Sequence, residues 1–446
     1  MQPPIREPQF MTAPRDRVLD VHDRPPPATF LLLSLQHLFA MFGANVLVPI
    51  LTGLDPSVAL VTSGLGTLIY LAFTKWRLPA YLGSSFAFIG PIVAATQIGG
   101  TGGALVGACA AGAVYVAVAL LIRAFGVRWL LAILPPIVVG PVIVVIGLGL
   151  ASVAVGMAQN TAGGGEYSLP HFLLALATLG SIFLYSIVLR GFFTVVPILL
   201  GILTGYVLGV VFGMVDFGPV AAAPFLRMPD FHLLFSGMKE GVSAWAMILL
   251  VAPVALVTIA EHIGGQIVLS RVVGRNFIAD PGLHRSVFGD GVATMVAGAL
   301  GGPPATTYGE NIGVLAVTRV FSVWVIGGAA TLAIILGFVG KLSAFLSSIP
   351  TAVMGGVSIA LFGVIASSGI RTLIEGKVDL GDKRNLLISS TILVIGIGGA
   401  SLKFGDGGFV VSSMALSAVM GVVLNAVLPG RGTGGDAEAI LSSDHI

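Results

Sequence analysis

Charge is what this chain has least of. Asp, Glu, Lys and Arg make up 9% of its 446 residues, against about 25% in an ordinary soluble domain. A water-soluble globule of this length could not solvate its exterior with so few charges, and lipid is the common alternative solvent. Cytosolic enzymes, secreted modules and disordered chains are excluded. Cysteine is nearly absent too: the one residue, Cys109, excludes an intrachain disulfide and a multi-thiolate metal site. A net charge of +2 offers no attraction to nucleic acid. No zinc spacing, nucleophile elbow or phosphate-binding loop appears, so neither a metal, a cofactor nor an enzymatic activity is expected. The first 27 residues are polar and proline-rich with no short apolar core before a cleavage site, which reads as a cytoplasmic tail rather than a signal peptide.

Apolar runs fill the space that charge leaves. Hydrophobic residues are 56% of the chain and Gly alone accounts for 61 positions, small residues that let helices approach closely in lipid. Cutting the chain at its polar and Pro/Gly breaks predicts fourteen membrane segments. The first seven cover residues 28–52, 57–74, 86–98, 104–122, 129–158, 171–189 and 192–214. The second seven cover 244–269, 291–300, 309–317, 320–340, 349–370, 386–400 and 411–427. With both termini cytoplasmic, all but four of the 22 basic residues fall on the inner side, the four being Arg227, Lys239, Lys341 and Lys403. Leu134-Pro135-Pro136-Ile137-Val138-Val139-Gly140-Pro141-Val142 in segment 5 aligns with Ile349-Pro350-Thr351-Ala352-Val353-Met354-Gly355-Gly356-Val357 in segment 12. A separation of seven segments is odd, so the copies are inverted. Segments 3 and 10, both short, are also seven apart. Paired interrupted segments in inverted repeats point to a transporter's binding site.

The acids sharpen this. Glu261 and Glu310 lie inside candidate spans, where a carboxylate costs about 2.5 to 3.5 kcal/mol on insertion scales and defaults to a functional role. Asp290, just before segment 9, reads instead as a solvated helix-end residue. Glu310 opens segment 10 after Ala305-Thr306-Thr307-Tyr308-Gly309, an extended-prone run; Gly83-Ser84-Ser85-Phe86-Ala87-Phe88 is its counterpart in segment 3. Extended backbone at membrane depth must line a cavity or be buried in protein. Two such stretches facing each other would aim free N–H groups and two helix N-termini at one spot, a site for carbonyl oxygens. His262 points about 100° away from Glu261 on a helix, towards a neighbouring helix. His37 reads as an interhelical hydrogen-bonder.

Glu310-Asn311-Ile312-Gly313-Val314-Leu315-Ala316-Val317-Thr318-Arg319 resembles, at every defined position, the signature of the nucleobase/ascorbate transporter family, [Q/E/P]-N-x-G-x-x-x-x-T-[R/K/G]. Residues 36–44, residues 79–88 and Ala260-Glu261-His262 are similar to the bacterial uracil permease branch of that family. The resemblance implies an all-α polytopic fold of fourteen segments in two inverted repeats, with short strands in segments 3 and 10. It implies a core domain (28–122 and 243–345), a gate domain (129–242 and 346–429) and tails at 1–27 and 430–446. It further implies proton-coupled uracil import across the inner membrane by alternating access, and a homodimer. Glu261 and Glu310 correspond to substrate-binding carboxylates; Phe86, Tyr308 and Gly309 to the strands that meet the base; Ala44 to a small residue beside it. Proton coupling falls to Glu261 and Glu310 with His262 as a weak second, because Gly265 stands where a histidine is usual. Asn311, Gly313, Thr318 and Arg319 complete the motif. Phe362 stands where a tyrosine is usual, removing a gate-side hydroxyl. The alternatives are a purine or another pyrimidine as substrate, or an anion exchanger of the same architecture; the last would favour a basic site over a two-carboxylate one.

Overall fold

The computed structural model describes residues 18–161, 165–190, 193–194, 196–404 and 409–429, except for the side chains of Ala44 and of residues 403, 404, 409 and 410. Most of the two tails, and the side chain of Ala44, therefore lie outside the described residues.

The first repeat opens with α1 (Pro27–Thr52) and α2 (Pro56–Phe73). Asp55 caps α2, its side chain accepting from Ser57 N ahead of an N1 proline. Strand β1 (Leu82–Ser84) and a 3₁₀ turn at Phe86–Phe88 lead into α3 (Ile89–Phe125). Segments 3 and 4, separated in the sequence reading, are stacked in α3 and broken only at Gly100, whose φ of 74° and ψ of 179° are open to glycine. Segment 5 is divided into α4 (Arg128–Ile133), α5 (Pro136–Leu148) and α6 (Ala151–Gln159). Then follow α7 (Leu169–Val188), α8 (Pro197–Val211) and a short α9 (Gly218–Ala222).

The second repeat has α10 (Ala244–Val251) and α11 (Val254–Val273) in place of α1, then α12 (Leu283–Leu300). Strand β2 (Ala305–Thr307), α13 (Gly309–Thr318) and α14 (Val323–Gly337) match β1 and the two halves of α3. A surface helix, α15 (Gly340–Ser347), precedes α16 (Thr351–Glu375) and α17 (Lys383–Ile397). The hairpin of β3 (Leu402–Phe404) and β4 (Phe409–Val411) leads to α18 (Ser413–Val427). Helices α9 and α15 and this hairpin have no counterpart in the sequence reading, because hydropathy marks spans and is silent on short surface elements.

Packing repeats with the chain. Helix α3 packs on α12 as α14 packs on α2, α10 on α3 as α14 on α1, α7 on α8 as α17 on α18, and α16 on α7 as α17 on α5. Each pair becomes its partner when seven segments are added or subtracted. Elements that map onto each other meet directly: α2 with α12, α5 with α16, β1 with β2. The fold is thus an all-α membrane protein of two inverted seven-segment repeats with strands in segments 3 and 10. Seven of its described helical stretches are long and apolar enough to cross a membrane, and α8, α14 and α18 are shorter apolar helices. The face on which α1 begins is called proximal below, and the opposite one distal.

One expectation needs correcting here. Segment 9 begins at Leu283, two turns before the apolar run that marked it, so Asp290 is a mid-helix residue and wholly buried rather than a solvated helix end. The polar stretch Leu283–Asp290 hid the helix because its partners lie on other helices.

Candidate functional site

Strands β1 and β2 pair antiparallel, with Leu82 opposite Thr307, Gly83 opposite Thr306 and Ser84 opposite Ala305. Three residues per strand cannot satisfy their own backbone in lipid, and each unsatisfied group there costs several kcal/mol. Neighbouring helices complete the accounting. Thr67 of α2 accepts from Leu82 N at 2.9 Å and donates to Leu82 O at 3.2 Å. Thr294 of α12 does the same for Ala305 N and O, both at 3.2 Å. Ser63 donates a further bond to Leu82 O at 2.7 Å.

Asn45 of α1 binds the two interrupted segments together. Its Oδ1 accepts from Ser84 N at 2.7 Å and from the Tyr308 hydroxyl at 3.1 Å, and its Nδ2 donates to Ser63 Oγ at 2.8 Å. The Tyr308 ring lies against Gly83, where a Cβ would overlap it, and its hydroxyl donates to Ser84 O at 2.9 Å. That side chain is 3% exposed. The Tyr308 ring is therefore packed between the paired segments, with its main chain at the start of α13.

Beyond the strands the two half-helices begin. Phe86 sits in the turn after β1 rather than in the strand, part exposed, and its ring meets Phe362 of α16 edge-on at 6.2 Å and 85°. Gly309 is exposed and Glu310 part exposed at the start of α13, between buried Tyr308 and Asn311. A Cβ on Gly264, Gly309 or Gly313 would meet nothing within 4 Å, so open space runs along α11 and α13. Glu261 of α11 is part exposed and within electrostatic reach of Glu310 and Asp290. The fold thus places Phe86, Glu261, Gly309 and Glu310, each at least part exposed, on elements that pack together beside an opening along α11 and α13.

Other motif residues act elsewhere. Asn311 Nδ2 donates to His37 Nδ1 and to His37 O, each at 3.2 Å, tying α13 to α1; His37 is the interhelical partner expected. Gly313 keeps the open face free of a side chain. Thr318 Oγ1 donates to Val314 O at 2.8 Å, and Arg319 ends α13 in a left-handed conformation at φ 56°. Both lie at the proximal end, away from the opening.

His262 turns to α12, as its place on the helix predicts. Its Nε2 is 3.0 Å from Ser286 Oγ, and its Nδ1 is 3.0 Å from Asp290 Oδ2 and 3.4 Å from Thr307 Oγ1. Gln266 Nε2 donates to Tyr70 OH at 2.8 Å on the same side of α11. A Cβ on Gly265 approaches Thr307 Oγ1 at 3.6 Å, so a larger residue there would reach β2. The sequence reading missed Asn45, Thr67, Thr294 and the role of Asp290. For Asn45 the signal was present, since a carboxamide at membrane depth needs partners just as a carboxylate does.

Residues 28–404 match the family model described as "Permease family". The chain is 59% identical over 414 residues to the uracil permease of Bacillus caldolyticus, covering 93% of this chain and 95% of that one. It is 56% identical over 414 residues to the uracil permease of Bacillus subtilis, covering 92% and 95%. Among solved structures, the transmembrane domain of the cyanobacterial bicarbonate transporter BicA aligns with a TM-score of 0.60 at 14% identity, over 91% of this chain and 99% of that one, a likeness of fold alone. With the motif running from Glu310 beside the paired strands to Arg319 at the end of α13, the chain belongs to the nucleobase/ascorbate transporter family, a family of permeases.

Proposed function

We propose that this protein imports uracil together with protons across the cytoplasmic membrane. One observation carries the reading: α11 packs on both α13 and the turn at Phe86–Phe88, with Glu261, Glu310 and Phe86 each part exposed. Uracil is a flat neutral ring with two N–H donors and two carbonyl acceptors. The two carboxyl groups accept from the N–H groups, first-turn N–H groups of α13 answer a carbonyl, and Phe86 covers a ring face with Phe362 edge-on behind it. A base lacking one donor leaves a buried acceptor unpaired, which supplies specificity. Permeases similar along nearly the whole chain carry uracil in their names. The acidic opening fits a donor-bearing base, whereas an anion exchanger would need positive charge there.

Two like charges at low dielectric repel, and a proton on one of them removes that repulsion. In this reading the proton that enters with the neutral base cancels one of the two carboxylate charges, with Glu261 the first candidate for the proton and Glu310 the anchor. His262, engaged with Ser286 and Asp290, orients the back of the site.

Movement is assigned to a core of residues 28–122 and 243–345 against a gate of 129–242 and 346–429. Packing supports this division, since the strongest helix contacts fall within each set, while the contacts between sets, chiefly α10 on β4, α1 on α8, α9 on α15 and α11 on α5 and α18, are smaller. The proximal face is cytoplasmic by the distribution of basic residues, and the working unit is a homodimer. The test is radiolabelled uracil uptake into proteoliposomes with and without an inward proton gradient. Gradient-driven accumulation abolished by uncoupler is expected, and uptake indifferent to both would sink the symport reading.

A further inference from the structure

We propose that two clasps, one on each face and related by the inverted repeat, are positioning elements that fix the far ends of the two half-helices and so set the geometry of the strands. The proposal rests on the reading above only in taking the N-termini of those half-helices as the substrate end.

Each half-helix runs away from the site and ends at a face of the molecule, where its last carbonyls lack intrahelical partners. On the proximal face α13 ends at Arg319. The chain ahead of α1 lies along the connection that follows: Val18 N donates to Arg319 O at 3.2 Å, Phe321 N to Leu19 O at 2.9 Å, and Val323 N to Val21 O at 2.9 Å. Val21 is completely buried under this crossing. Ser322 Oγ donates to Asp23 O at 2.6 Å, Asp20 pairs with Arg275 beyond α11 at 2.7 Å, and the Arg24 guanidinium lies 3.7 Å over the Trp324 ring, itself stacked on Trp76.

The distal face repeats the device. The first half of α3 ends at Gly99, and the chain ahead of α10 lies along the following turn. Lys239 N donates to Gly99 O at 3.0 Å and Lys239 Nζ to Gln97 O at 2.6 Å. The ammonium thereby sits at a helix C-terminus, where positive charge is favoured. Gly100 faces Gly237, and a Cβ on Gly102 would stand 2.7 Å from both Ser236 O and Met238 N, so the two backbones touch. The segment leading into the first helix of each repeat, then, fastens the connection between the third and fourth segments of the other repeat. A shared position under the repeat, on opposite faces, is what a common mechanical task requires. Neither strap touches the opening, yet each holds the far end of a helix whose near end forms it.

Val21→Asp places a charge in the buried crossing of the proximal clasp, and Gly102→Val forces apart the distal one. Hydrogen exchange on the full chain in nanodiscs is expected to rise about tenfold for amides of 309–318 in the first variant and of 89–98 in the second, each leaving the other half-helix unchanged. The KM for uracil is expected to rise about fivefold or more, since small displacements of binding groups are costly. If Val21→Asp does not fold, Asp20→Arg gives the same readout at smaller amplitude, and Arg275→Asp added to it should restore both exchange and KM. Unchanged exchange in the half-helix concerned overturns the clasp, as does raised exchange with an unaltered KM. A wild-type protein that takes up no uracil sinks the substrate reading instead, and exchange still decides whether the clasps hold the half-helices.

Discussion

Glu310 and Glu261 differ in what surrounds them, and the difference sets what each substitution does. Glu310 stands in the first turn of α13, so in the proposed function Glu310→Gln removes a charge-assisted acceptor for the base. Charged hydrogen bonds contribute about 1.5 to 3 kcal/mol, and equilibrium uracil binding by the purified variant should weaken by about tenfold to a hundredfold; calorimetry at near wild-type affinity would reassign the pocket. Glu261→Gln keeps shape and hydrogen-bonding capacity but cannot exchange a proton. Counterflow of uracil should survive in that variant while gradient-driven accumulation fails, and an unchanged response to the gradient would move the proton elsewhere. Asp290→Ala strips the buried His262 of its carboxylate, a change that costs on the order of 3 kcal/mol when a buried partner is left alone. A lowered melting temperature in detergent should accompany it.

At the level of elements, the crossed strands are short and survive because α2 and α12 supply what a wider sheet would. Thr67 and Thr294 each make two bonds to a strand backbone, in symmetric positions. Thr67→Val and Thr294→Val keep volume and remove the hydroxyl, so each should destabilise by about 1 to 3 kcal/mol. The two losses should be similar in size, as read by thermal unfolding in nanodiscs. A large loss from one and none from the other would deny the equivalence of the two strands.

Across the whole molecule, α1 and α8 meet where a Cβ on Gly43 would lie 3.7 Å from Ile198 Cβ, within the range of a disulfide. In a Cys109→Ser background, Gly43→Cys with Ile198→Cys should form that bond on oxidation. If spans 1 and 7 belong to bodies that move against each other, oxidation stops uracil uptake and reductant restores it. Transport that continues through a fully formed cross-link would show that the bodies are divided elsewhere.

Hydropathy and charge placement by themselves determined the membrane setting, the count of segments, their inversion, and Glu261 and Glu310 as residues that lipid would not tolerate without cause. Those properties are local or statistical: an apolar run crosses lipid whatever its neighbours are, and a buried carboxylate announces its cost in any context. Tertiary structure decided what depends on partners distant in the chain. Asp290 stood next to a polar stretch and read as solvated until α12 was seen to start at Leu283 and to carry it against His262. Phe86 and Tyr308 were placed together by motif, but only the packing of Tyr308 on Gly83 separates a ring that faces the opening from one that holds the strands. The threonines that complete β1 and β2, and the straps that close over each half-helix, share no pattern with what they bind. Their reason lies in backbone groups left unsatisfied by short elements in lipid, and those groups find partners only once the chain has folded.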